Sequence, residues 1–85
     1  MSRIAKVSDR ILERLTSYYH FLRKIDTKKT KCITSNKIAE SLNISPILIR
    51  KDLFATRVKG KPKKGYSIHK LLIEIEKLLG WGDPT

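Results

Sequence analysis

Ser45-Pro46-Ile47-Leu48-Ile49-Arg50-Lys51-Asp52-Leu53 is the stretch that decides how this chain is read. Ser45 is suited to an N-cap, and Pro46 to the first helical position, where a missing N–H costs nothing. Ile44 and Ile49 stand at the spacing of a hydrophobic staple, before the cap and at the fourth helical position. Ile49 and Leu53, four apart, form an inward stripe, and Arg50 and Lys51 leave the helix on the other side. Just upstream, Thr34 or Ser35 caps a second short helix in which Ile38, Ala39 and Leu42 point inward. Asn43-Ile44 makes the tight connection between the two. Helices joined in this way, the second basic and lightly anchored, have the form of a helix-turn-helix whose second helix enters a DNA groove.

Working outward toward the N-terminus, Ile11, Leu12, Leu15, Tyr18, Tyr19, Leu22 and Ile25 recur at helical spacing. They predict a long helix with Ser8 as N-cap and Asp9 at the positive end of its dipole. The two tyrosines read as core and interface packing, and His20, beside the stripe, as a packed or solvated histidine. Residues 1–7, with Arg3 and Lys6, read as a basic arm. Asp26 to Lys31 is polar and unpatterned, hence a loop, and Cys32-Ile33 is long enough only for a small strand.

Toward the C-terminus, Phe54 to Lys59 is expected to finish the helix and turn into a strand. Gly60-Lys61-Pro62-Lys63-Lys64-Gly65 is a loop by its glycines and proline. Tyr66-Ser67 is the returning strand, with Ser67 capping a last helix. In that helix Ile68, Leu71, Leu72, Ile75, Leu78 and Leu79 repeat at three and four until Gly80 stops it. Residues 81–85, with Trp81, read as a linker or domain edge. The order helix, strand, helix, helix, strand, basic loop, strand, helix predicts a mainly α fold. It is a winged helix-turn-helix of four helices with a small β-hairpin wing, spanning residues 8–80.

Composition narrows the function. Eighty-five residues make one small domain, and 19 Lys plus Arg against 8 acids leave a net charge of +11, which favours a polyanionic partner. Cys32 is alone, so no intrachain disulfide and no cysteine-based zinc site can form, which fits a reducing, cytoplasmic setting. There is no apolar run of signal-peptide type and no segment of transmembrane length, so no membrane partner is expected. Enzymatic readings find no support. No Ser/His/Asp set, phosphate-cradling glycine loop or Gly-x-Gly-x-x-Gly is present, and Glu74 and Glu76, two apart on a helix, do not face a common point.

The candidate site is therefore a DNA-binding surface. Arg50 is suited to bond guanine O6 and N7, and Lys51 to reach guanine or a phosphate. Asp52 either orients one of these or pairs with a basic residue on the helix behind. Ile47 and Leu48 either touch thymine methyls or close the core. Arg57, Lys59, Lys61, Lys63 and Lys64 put five positive charges and no acid along the wing, where they follow a phosphate backbone or enter a minor groove. Glycines at both ends of the loop are expected to supply positive φ. Thr34, Ser35, Ser45 and the N–H groups of the two helix starts are suited to phosphate contacts, and Tyr66 completes the set at the base of the wing. The other function classes in view are non-specific nucleic-acid binding by charge and a protein-interaction or dimerisation module built on Tyr18, Tyr19 and Trp81.

Three pieces of the sequence resemble the amino-terminal domain of the Rex redox-sensing transcriptional repressors. They are Arg14-Leu15-Thr16-Ser17-Tyr18-Tyr19 with Leu22; Ile38 to Ser45 running into Ile49-Arg50-Lys51-Asp52-Leu53; and Gly60-Lys61 with Gly65-Tyr66 before the last helix. The resemblance implies a homodimeric repressor on an AT-rich inverted repeat of double-stranded DNA, with Arg50 and Lys51 in the major groove and the wing in the minor groove. It also implies a Rossmann-type domain outside residues 1–85 that binds NAD(H), NADH releasing the DNA. On that reading the chain is an excised domain or a stand-alone relative, and no cofactor is expected within it. Two departures stand out. The aromatic residues common in family wings are lost across residues 55–66, where lysines such as Lys59 replace them, which shifts the wing from shape toward charge. The arginine common after the two tyrosines, which in the family helps couple the domains, is His20.

Overall fold

The computed structural model describes residues 9–80, in the order α1 (Asp9–Arg23), β1 (Cys32–Ile33), α2 (Ser35–Leu42), α3 (Pro46–Phe54), β2 (Tyr66–Ser67) and α4 (Ile68–Leu79). The predicted cap at Ser8, the basic arm and Trp81 lie outside the described residues. Each helix buries the stripe that its spacing announces. Leu15, Tyr18 and Leu22 of α1, Ile38 and Ala39 of α2, Ile49 and Leu53 of α3, and Ile68, Leu71 and Ile75 of α4 join Ile33 in one core. α1 packs mainly on α4, and α2 on α3, while α1 also crosses α3.

Helix ends follow local chemistry. Thr34, rather than Ser35, is the cap of α2, its hydroxyl accepting from the Lys37 N–H at 3.1 Å. Asn43, with φ of 57°, closes α2 in the left-handed conformation, and this single residue turns the chain into α3. Ser67 caps α4 by accepting from the Lys70 N–H at 3.3 Å. Ser45 occupies the cap position of α3, yet its hydroxyl makes no capping bond.

The two strands pair antiparallel, Cys32 with Ser67 and Ile33 with Tyr66, and the Ile68 N–H donates to the Lys31 carbonyl at 3.0 Å. The strand expected between α3 and the basic loop does not form. Thr56, 2% exposed, explains why. Its hydroxyl donates to the Leu53 carbonyl at 2.5 Å and accepts from the Val58 N–H at 3.2 Å, which curls the chain under the end of α3. Arg57 then takes a left-handed φ of 64°, and residues 58–60 run without regular structure. The wing is consequently a hairpin reduced to one bridge. Lys61 and Gly65 exchange N–H···O bonds of 2.8 Å in both directions, and Pro62, Lys63 and Lys64 form the tip.

Candidate nucleic-acid interface

α3 is held from behind by a buried acid. Asp52, 1% exposed, faces α1, where the Arg14 guanidinium grips both carboxylate oxygens, Nε to Oδ2 at 2.6 Å and Nη2 to Oδ1 at 2.9 Å. The Tyr18 hydroxyl, also buried, donates to Oδ2 at 2.5 Å. The bond to Asp52 raises the Arg14 pKa above its usual value. Burial first, and then the bond to Asp52, raises that of Tyr18. Of the two roles open to Asp52 in the sequence, the structure selects pairing with the helix behind. It fixes the rotation of α3 about its axis, and that rotation sets which residues face outward.

What faces outward is Ile47, Arg50, Lys51 and Phe54, which line one shallow surface. Arg50 and Lys51 are exposed as expected. Ile47 is 61% exposed and so does not close the core, whereas its neighbour Leu48 is half-buried. Phe54, which sequence spacing left unassigned, is 84% exposed.

Arg50 also belongs to a second surface, a cleft of about 340 Å³ between α2, α3 and the wing, shared with Ser35, Lys61, Lys63 and Tyr66. Its Nη1 reaches the Ser35 hydroxyl at 3.5 Å. Ser35 itself is 8% exposed, so its oxygen reaches the cleft edge rather than open solvent. Arg57, Lys59, Lys64 and Ser45 are exposed but line neither surface. With Thr34, which also lines the cleft, the two surfaces bring seven of the eleven predicted contact residues onto one continuous basic region, with Arg50 as the hinge between them.

The wing's shape depends on two unlike glycines. Gly65, with φ of 84°, has its Cα against the backbone of β1, where an added Cβ would stand 2.2 Å from the Ile33 carbonyl oxygen. No other residue fits there. Gly60 does not adopt positive φ, contrary to the symmetric expectation for the loop; its backbone instead lies against the Tyr66 ring, 3.1 Å from where a Cβ would sit. The second left-handed position of the loop falls on Lys63, φ of 70°, following Pro62, as in a type II turn.

Elsewhere Tyr19 ties α1 to α4 by donating to Glu76 Oε2 at 2.7 Å, a bond that raises its pKa, and the Arg23 guanidinium lies 5.9 Å from its ring centre. Glu74 pairs instead with Lys77 at 3.3 Å, so the two glutamates of α4 do separate jobs. Among the described residues no His, Cys, Asp and Glu group stands at metal-binding geometry, and no helix is long and apolar enough to cross a membrane. The sheet of the described residues consists of two antiparallel strands of two residues each.

Among the described residues, four helices, a two-stranded antiparallel sheet and a basic turn beside an outward basic helix define the winged helix-turn-helix class. Comparison with known proteins places the chain within that class. The family model described as "Putative DNA-binding protein N-terminus" matches residues 6–53. The redox-sensing transcriptional repressor Rex of Treponema denticola is 47% identical over 70 residues, which cover 82% of this chain and 33% of the relative. Rex 2 of Thermotoga maritima is 37% identical over 73 residues, 86% of this chain and 34% of the relative. A crystal structure of RSP, a Rex-family repressor, matches with a TM-score of 0.71 and 26% identity over 93% of this chain and 34% of that one. The chain belongs to this family and corresponds to the N-terminal domain of Rex proteins. It spans about a third of the length of the curated relatives it matches.

Proposed function

We propose that this chain binds double-stranded DNA in a sequence-specific manner as the DNA-reading part of a Rex-type transcriptional repressor. The observation that carries the reading is the pairing of Asp52 with Arg14 and Tyr18, which turns Arg50 and Lys51 outward beside the basic wing. α3 lies in the major groove, where Arg50 or Lys51 bonds guanine O6 and N7. Residues 57–66 follow the phosphate backbone and reach the minor groove, with Ser45, whose hydroxyl is not spent on capping, contacting a phosphate. Ser35 acts through Arg50, to which it is bonded.

Two copies on an inverted repeat supply the affinity that one small domain lacks. The relatives' names describe redox-sensing repressors. In keeping with those names, we propose that a response to NADH/NAD⁺ in the cytoplasm enters through a Rossmann-type domain beyond residues 9–80. The test is a titration with a selected duplex, a random duplex and a single strand at two salt concentrations. Tight, salt-sensitive binding that prefers the selected duplex is expected. Equal affinity for single strand and duplex would remove the reading in favour of binding by charge alone.

A further inference from the structure

α3 leaves two large apolar side chains in water, and the fold offers no reason for either. Ile47 is 61% and Phe54 84% exposed, and neither belongs to the core or packs against it. They stand seven residues apart, which places them within about 20° of each other viewed down the axis and about 10 Å apart along it. Arg50 and Lys51 project between them on the same surface. A purely apolar partner would have to bury two cations to cover this face, at heavy cost. A polyanion with apolar groups set among its polar ones is the complementary surface. In the major groove of B-DNA that apolar group is the C5 methyl of thymine.

We propose that Ile47 and Phe54 are specificity-determining residues that read thymine methyl groups. This rests on the DNA-binding reading above and adds a pattern to it. Along the inclined path of the major groove, a separation of about 10 Å spans about two to three base-pair steps. The site read by α3 is therefore two thymines about two to three steps apart, on either strand, flanking the pair that Arg50 or Lys51 recognises.

The experiment uses a duplex selected from a library with a randomised core, resynthesised with deoxyuridine in place of one thymidine at a time. Uracil keeps the Watson–Crick pair and lacks only the methyl. Affinity is expected to fall about fourfold at each of two positions, the loss of one buried methyl, and to hold at the others. Phe54→Ala should abolish the sensitivity at one of these positions and Ile47→Ala at the other, which separates direct contact from any change in DNA stiffness. Both side chains are exposed, so the variants are expected to keep the wild-type unfolding temperature. Tight duplex binding with uracil tolerated everywhere overturns the methyl readout and leaves the DNA-binding reading standing. A protein that binds no duplex overturns both. Should Phe54→Ala leave duplex affinity unchanged while turning a sedimenting dimer into a monomer, the face is a contact between copies and the inference is wrong.

Discussion

α3 and the wing both present cations to solvent, but they are held in opposite ways. Behind α3 stands a side-chain lock, in which a buried carboxylate is gripped by a guanidinium and a phenol from α1. Behind the wing, among the described residues, there is no ion pair; one backbone bridge between Lys61 and Gly65, the close seat of Gly65 on β1 and the Tyr66 ring against Gly60 stand there instead. An element that reads base edges needs its side chains fixed to a fraction of an ångström, and a packed helix meets that need. One that follows a phosphate track tolerates more play, because charge attracts without fine register. The contrast suits direct readout on α3 and electrostatic grip on the wing.

The largest expected effect comes from breaking the lock. Asp52→Ala removes a carboxylate that is 1% exposed and leaves the Tyr18 hydroxyl buried without its partner. Breaking a buried pair costs about 3–5 kcal/mol, and since Arg14 keeps 28% exposure the low end, about 3 kcal/mol, is expected in urea unfolding. A loss below about 1 kcal/mol would mean that packing alone holds α3 and that the contrast is false. Next is Gly65→Ala, which sets a Cβ against the Ile33 carbonyl at a φ that L-residues avoid. It should cost about 2 kcal/mol or more in thermal unfolding and displace the wing, with nuclear magnetic resonance shifts concentrated at residues 60–66.

Binding measurements sharpen the same comparison. Lys51→Ala is expected to cost about 1–3 kcal/mol on the preferred duplex and to relax base choice, while Lys63→Ala or Lys64→Ala weakens every duplex alike and lowers the salt slope by about one. A uniform loss from Lys51→Ala together with a sequence-dependent loss from Lys63→Ala would reverse the assignment. The smallest effect belongs to Tyr18→Phe, about 1 kcal/mol near neutral pH for the lost hydrogen bond. The Tyr18 pKa is raised in the folded state, so its contribution is complete below the ordinary tyrosine value of about 10 and fades as pH climbs past it. The wild type should therefore lose stability faster than Tyr18→Phe above that pH, as followed by circular dichroism.

The helices were legible because spacing and caps are local. Pro46 after Ser45, Asn43 at the turn, Gly80 at the last stop and the leucine periodicity of α4 all act within a few residues of the structure they specify. Even the short strands at Cys32 and Tyr66 could be read from their neighbours. What escaped was tertiary. Whether Asp52 faces Arg14 depends on how α1 crosses α3, 38 residues away in sequence, and nothing near Asp52 records it. The exposure of Ile47 follows from that same rotation. The strand expected after Phe54 gave way to a threonine turn because the Thr56 hydroxyl competes for the backbone, an outcome that β-propensity alone gets wrong. Gly60 and Gly65 look equivalent in sequence, and only the proximity of β1 to one of them tells them apart.

The pairing of Cys32 with Ser67 and of Ile33 with Tyr66 has a consequence in time as well as in space. It joins chain segments on either side of α2 and α3, so the sheet closes a loop that contains both helices and the basic tip. The entropy of that closure has to be met before its few hydrogen bonds return anything, whereas α2 and α3 form from near neighbours. The helices are thus expected to assemble first and the clasp to shut behind them. In refolding followed by pulsed hydrogen exchange, the amides of Ile49 and Leu53 should gain protection before that of Ile68, which donates to the Lys31 carbonyl across the clasp. Simultaneous protection would mean that the clasp forms with the helices and not after them.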